Sequence, residues 1–222
     1  VIDKTTAALV ALFFFHGAFA SFITGTALWP KKDRTVKFFG MALILNGLAF
    51  MTWALLAANR LHSLRIFAGL AAVFLILALL SFFLVSIQHL EDSSSYGAAL
   101  LVGAVGALGL FVLRTFVYPA HLVITERGFL LFDLDTMVRA AYVAAISVSI
   151  LPAANTAAGK FKKTVLSPLI KGCFTALAIG GIILAVSSDT TLILLSGIAM
   201  SIAFLLLWTT VLSAEKALQK VS

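Results

Sequence analysis

The sequence predicts an all-α membrane protein, a bundle of seven transmembrane helices, on three observations. Hydrophobic residues make up 62% of the 222 and charged residues only 11%, whereas a soluble domain carries roughly a quarter charged residues to cover its core. The apolar residues fall in seven continuous runs, each near the roughly 20 residues that cross the hydrocarbon core. Most Lys and Arg collect in the connections between the runs, where they set orientation and touch headgroups. Continuous rather than alternating runs select helices over strands, because lipid offers no partner for open backbone groups. The whole chain reads as a single transmembrane domain.

The first span, Ala7–Trp29, is too long for the apolar region of a signal peptide and runs into Pro30-Lys31-Lys32 rather than a small-residue cleavage site. The second, Phe38–Ala58, follows a basic connection holding Lys31, Lys32, Arg34 and Lys37. The third, Ile66–Ile87, leads to the acidic Glu91-Asp92 connection. The fourth, Gly97–Val117, is rich in glycine. The fifth, Met137–Ala154, is the shortest and carries Arg139 near its start. The sixth, Val165–Val186, has Pro168 in its first turn, where proline is tolerated, and Lys171, which reaches back to the basic connection. The seventh, Thr190–Ser213, contains no lysine, which removes a retinal-protein reading.

Between spans four and five lies the longest connection, residues 118–136. It interleaves Phe129, Leu130, Leu131, Phe132 and Leu134 with Asp133 and Asp135, too short and too charged to cross. It is expected at the membrane interface, as an amphipathic helix tethering two halves or as a lid folded over the bundle mouth.

With seven spans, Lys31, Lys32, Arg34, Lys37, Lys160, Lys162, Lys163, Lys216 and Lys220 fall on one side, against six basic residues outside spans or at their ends on the other. The excess orients the N-terminus outside and the C-terminus in the cytoplasm. Lys31-Lys32-Asp33-Arg34-Thr35-Val36 before span two resembles Lys160-Phe161-Lys162-Lys163-Thr164-Val165 before span six, and each follows a span ending near a proline. This suggests a 3+1+3 plan, spans one to three repeated in parallel as five to seven, with span four as connector.

Polar groups inside a membrane are expensive and mark candidate sites. His16 and Asn46 lie near the middle of spans one and two, at similar depth, where a mutual hydrogen bond would satisfy both. Ala99, Gly103 and Ala107 form a small-residue row on span four, and Arg114 continues the same face. A guanidinium there needs a carboxylate or a path to the interface, and Asp133 and Asp135 are the expected partners. His16, Asn46, Arg114, Asp133 and Asp135 are therefore the candidate solute- or ion-binding residues. A b-type haem takes two histidines from facing helices; His16, His62 and His121 are weak candidates, since no two sit at matched depth within spans. No metal-ligand spacing and no catalytic motif occurs. With a single cysteine, Cys173, no intramolecular disulfide can form.

The function these features imply is non-enzymatic: binding, sensing or transporting a small solute or ion through a bundle cavity. The alternatives are an accessory subunit of a larger membrane complex and a haem-b redox anchor. The expected surroundings are the lipid bilayer and membrane-protein partners or further copies of the chain. The net charge of +7 resides in orientation signals, so it does not indicate nucleic acid.

Overall fold

The computed structural model describes residues 4–58, 64–90, 93–124, 130–160, 166–187 and 190–219. Seven helices run through them: α1 (Lys4–Leu28), α2 (Arg34–Ala58), α3 (Leu64–Ser86), α4 (Ser93–Val112), α5 (Thr136–Lys160), α6 (Leu166–Val186) and α7 (Thr190–Gln219). Six are long and apolar enough to cross a membrane; in α7 the apolar stretch among the described residues is Leu194–Thr209. The chain is a multi-pass membrane protein with an all-α bundle fold.

The helix starts have local causes. Asp33 caps α2, its Oδ1 accepting the Val36 N–H at 3.2 Å. Asp135 caps α5 by accepting the Met137 N–H at 2.8 Å. Each carboxylate satisfies a backbone donor that a helix start leaves open. Inside the spans, Thr24, Thr52 and Ser81 return their hydroxyls to the carbonyl four residues earlier, so these polar side chains cross the apolar layer satisfied.

α1 packs on α2, α2 on α3, α3 on α5, α5 on α6, α6 on α7, and α7 closes on α1. The ring thus follows the order of the chain, with α4 outside it. Helices α1 and α7 run parallel: Phe14 lies beside Gly197 and Gly17 beside Ser201. α1 and α2 run antiparallel, with Gly25 against Gly40 and the Ala18 carbonyl against Gly47.

Small residues build these seams. A Cβ added at Gly25 would stand 2.6 Å from the Gly40 carbonyl oxygen, and one at Gly40 would stand 2.8 Å from the Gly25 oxygen. Helices in lipid associate through close packing and hydrogen bonds, since burial away from lipid tails gains little. The hydrogen bonds are present: Ser21 donates to the Leu43 carbonyl at 2.8 Å, Ser201 to Phe13 at 2.6 Å, and Ser196 to Gly180 at 2.8 Å.

α4 leans on α3 from outside. Ala99, Gly103 and Ala107 are its less exposed positions and Leu110 is buried, while Leu101, Val105 and Leu108 are exposed. The Phe83 ring fills the notch at Gly103. The small-residue row read from the sequence is therefore the packed face, and Arg114 lies on it. The helix ends in one π-turn, Leu113–Val117, closed by the Tyr118 N–H donating to the Leu113 carbonyl at 2.7 Å.

Two expectations need correction. The connector contains a β-hairpin, not a helix: β1 (His121–Ile124) pairs antiparallel with β2 (Leu130–Asp133), His121 opposite Asp133. Val123 and Ile124 are β-branched, and Phe132 is aromatic, types that favour a pleated ladder over a helix. Helix α5 also runs beyond Ala154 to Lys160, through Pro152. Pro152 removes one helical hydrogen bond, but Ala153, Ala154, Ala157 and Ala158 are all buried, and their packing carries the helix onward.

Candidate functional site

A cavity of about 290 Å³ lies inside the ring, between α2, α3, α5 and α6, with Met200 of α7 at its edge. The α2 lining runs from Asn46 to Trp53, the α5 lining from Arg139 to Ile150, and the α6 lining from Leu177 to Ala185, with Ser187 just past the helix end. These are the halves nearest the hairpin side of the bundle, where α2 and α6 end and α5 begins.

Exposure falls inward from that side. The Asp133 side chain is 63% exposed and that of Arg139 26%, whereas Arg114 is 9% and Asn46 3% exposed. The mouth is therefore on the hairpin side and Asn46 is deep. Toward the other side the space ends on three buried rings, Phe39, Phe82 and Phe174, with centroids 4.9 to 6.4 Å apart. Phe82 lines the cavity and the other two rings back it. Fully buried and mutually tilted, they form its floor.

Arg139 organises the mouth. Its Nε donates to the Leu134 carbonyl at 2.7 Å, one terminal nitrogen to the Val186 carbonyl at 2.8 Å, and the other to Asp133 Oδ1 at 3.1 Å. One planar fork thus joins the end of β2, the start of α5 and the last residue of α6, using the fixed donor geometry that Lys lacks. Val186 closes α6 with a carbonyl that has no helical partner, so Arg139 satisfies it and complements the helix dipole.

Deeper in, the π-turn holds the buried Arg114 guanidinium in the cavity wall, within electrostatic reach of Tyr142. π-turns are rare and recur at functional sites. Asn46 is different. Its side-chain amide nitrogen is buried without a hydrogen-bond partner, and the residue is among those lining the same space. A buried unsatisfied donor costs about 1–3 kcal/mol. The rest of the wall is apolar and aromatic, with Phe50, Trp53, Leu75 and Ile146 among its members.

The sequence candidates divide accordingly. Asn46, Arg114 and Asp133 are brought to one cavity. Asp133 pairs with Arg139, because the strand ends six residues before Arg139 and the start of α5 returns that side chain. Asp135 serves as the α5 cap and does not line the cavity. His16 faces outward, its Nδ1 bonded to the Leu12 carbonyl at 2.9 Å, and no described bond joins it to Asn46. His121 is exposed on β1, His62 lies outside the described residues, and no histidine is among the cavity-lining residues.

Arg139 and Tyr142 went unread as site residues, although a signal was present. Arg139, Tyr142, Ile146 and Ile150 follow one another at three- and four-residue steps, one helix face whose hydrophobic end is buried and whose polar end reaches the mouth. Comparison with known protein families, with curated proteins and with solved structures finds no match for this chain.

Proposed function

We propose that this membrane protein binds a small solute in the bundle cavity and passes it across the bilayer, without enzymatic chemistry. The observation that carries the reading is the deep, unpartnered Asn46 amide in a cavity with a charged mouth on one side and an aromatic floor on the other. Ligand sites are concave, largely apolar and fitted with a few polar groups, with volumes from about 300 Å³ upward. A one-sided vestibule suits a carrier in which the floor opens only when the mouth closes. The excess of basic residues in the connections on the opposite side supports a mouth on the outer side.

Thiol accessibility tests this. The one native cysteine, Cys173, is buried, so an introduced thiol reports alone. Ala49→Cys, in the cavity wall, should react with a membrane-impermeant maleimide applied from the hairpin side of oriented vesicles. Protection from both sides would mean a sealed void and end the proposal. Saturable uptake of solutes from a mixed metabolite extract into proteoliposomes, detected by mass spectrometry, then tests passage.

A second reading, a subunit of a membrane complex, is favoured by α4. Gly97, Gly106 and Gly109 have no protein atom within 4 Å of an added Cβ, leaving notches where another helix could approach. Stoichiometric co-purification of a partner in mild detergent, lost on Gly106→Phe, distinguishes it.

A further inference from the structure

The rings of the wall narrow the class of solute, on the reading above that the cavity holds one. Phe50 and Trp53 stand one turn apart on α2, partly exposed, and both line the space. Buried rings hold them from behind. Phe14 of α1 has its centroid 5.7 Å from that of Phe50 and 5.2 Å from that of Trp53, and Phe204 of α7 lies 6.4 Å from Phe50. Phe82 of α3 is held likewise at the floor by Phe39 and Phe174. Tyr142 adds a further aromatic residue from α5. Three helices thus bring aromatic side chains to one space, and rings outside it fix those of α2 and α3. A wall set before its guest arrives loses little freedom on binding, and ring-on-ring contact contributes beyond the area it buries.

The ionised groups at the mouth are already engaged. Arg139 gives its donors to Asp133 and to the Leu134 and Val186 carbonyls, and Arg114 is not free either. An ionised guest would shed its water against apolar walls, which costs far more than burying a neutral body. Aromatic walls also suit organic cations, but here a cation would share the space with two guanidiniums. Size sets the remaining bound. An apolar cavity of about 150 Å³ stays dry and takes up benzene, and this one is about 290 Å³.

We infer that the solute is a small uncharged aromatic molecule, on the order of two rings in size, held on the Phe50 and Trp53 rings. A saturated body of equal size would bury similar apolar area but forgo the ring contacts.

Photolabelling tests this. The full chain in nanodiscs is exposed to 3-trifluoromethyl-3-phenyldiazirine, and the labelled peptides are mapped by mass spectrometry. Four competitors are compared at equal concentration within the nanodisc: naphthalene, decalin, 1-naphthoate and (1-naphthylmethyl)trimethylammonium. Naphthalene should suppress labelling of residues 46–53 and 142–150 saturably, and leave labelling of the exposed α4 residues Leu101 and Leu108 unchanged. It should compete about tenfold better than decalin, the scale of one or two ring contacts, and about tenfold or more better than either ion. Trp53→Leu should lower the preference for naphthalene over decalin by about threefold or more, with decalin itself within about twofold of its parent value. Ala72→Phe, which adds bulk in the wall, should abolish the labelling that naphthalene displaces. Should Ala72→Phe not fold, the competitor series and Trp53→Leu decide alone. Equal or better competition by decalin would make the guest aliphatic, the bilayer's own chains included, and overturns the assignment. Equal or better competition by either ion overturns it too, as does wall labelling that no competitor reduces. In each of these cases, maleimide labelling of Ala49→Cys from the hairpin side leaves the solute cavity standing, while its absence removes the cavity as well.

Discussion

Arg139 reaches Val186, forty-seven positions along the chain, with a 2.8 Å hydrogen bond from its guanidinium to the last carbonyl of α6. The same fork holds Asp133 at 3.1 Å, so a single side chain on α5 fixes the rim of the cavity.

The bonds of that fork are unequal. Asp133 is mostly exposed, and an ion pair in such surroundings contributes less than about 1 kcal/mol. The carbonyl bonds are made by a charged donor, worth about 1.5–3 kcal/mol each, and one of them satisfies a helix end. Arg139→Ala should therefore lower thermal stability in detergent by several degrees, whereas Asp133→Asn should shift it little. Equal losses in the two variants would mean the ion pair, not the carbonyls, anchors the rim.

Glycines that look alike in sequence should respond in opposite ways. Gly25→Ala and Gly47→Ala place a methyl 2.6 to 2.9 Å from backbone atoms of the facing helix, and overpacking of this kind costs about 1–3 kcal/mol. Gly106→Ala meets nothing within 4 Å and replaces a poor helix former, a gain of about 0.5–1 kcal/mol. Melting temperatures of the three variants in one detergent check the sign of each.

Asn46→Leu should leave the ligand-free protein as stable as the parent or more so, because it removes a donor that has no partner and restores an apolar wall. A loss comparable to deleting a bonded core amide, measured by denaturant unfolding, would show that the donor is satisfied after all.

Asp33 gives the pH dependence. It lies between the spans and pairs with Lys160 at 2.9 Å. Burial raises its pKa, but the hydrogen bonds from Lys160 and the Val36 N–H, with the lysine charge, outweigh that and hold it below the ordinary 3.8. A carboxylate with a depressed folded-state pKa stabilises fully above its unfolded value and loses that contribution as pH falls through the folded one. The parent should thus lose slightly more stability than Asp33→Asn as pH drops below about 4, by under about 1 kcal/mol since both partners are nearly half exposed. Asn keeps the helix cap, which isolates the charge, and 1 M salt should shrink the difference.

The spans were legible because a bilayer of fixed thickness demands continuous apolar runs of one length, and no soluble alternative makes the same demand. The packed face of α4 was legible too, since Ala99, Gly103, Ala107 and Arg114 keep helical spacing. His16 was not. α1 is apolar all round, so nothing in its periodicity separates the face toward Ser201 from the face toward lipid, and depth alone suggested a neighbour. The rim escaped for a different reason. Arg139 gains its meaning from Val186 and Leu134 carbonyls, and backbone acceptors carry no mark in a sequence. The hairpin was hidden by length: four-residue strands are too short for alternation to show against a helical pattern.

The peripheral position of α4 bears on how the chain is threaded. Three crossings is an odd number. A second triplet joined directly to the first would begin on the side where the first ended, and would sit upside down beside it. The extra helix α4 returns the chain to its starting side, so α5 enters in the same direction as α1 and ends near the α1–α2 connection, where Lys160 meets Asp33. That task asks only that α4 traverse the bilayer, which explains how a helix with so many open positions is tolerated. Excising it would invert α5 and α6, carry Arg139 and the Val186 carbonyl to the opposite compartment, and leave two half-walls that could not close on a common space.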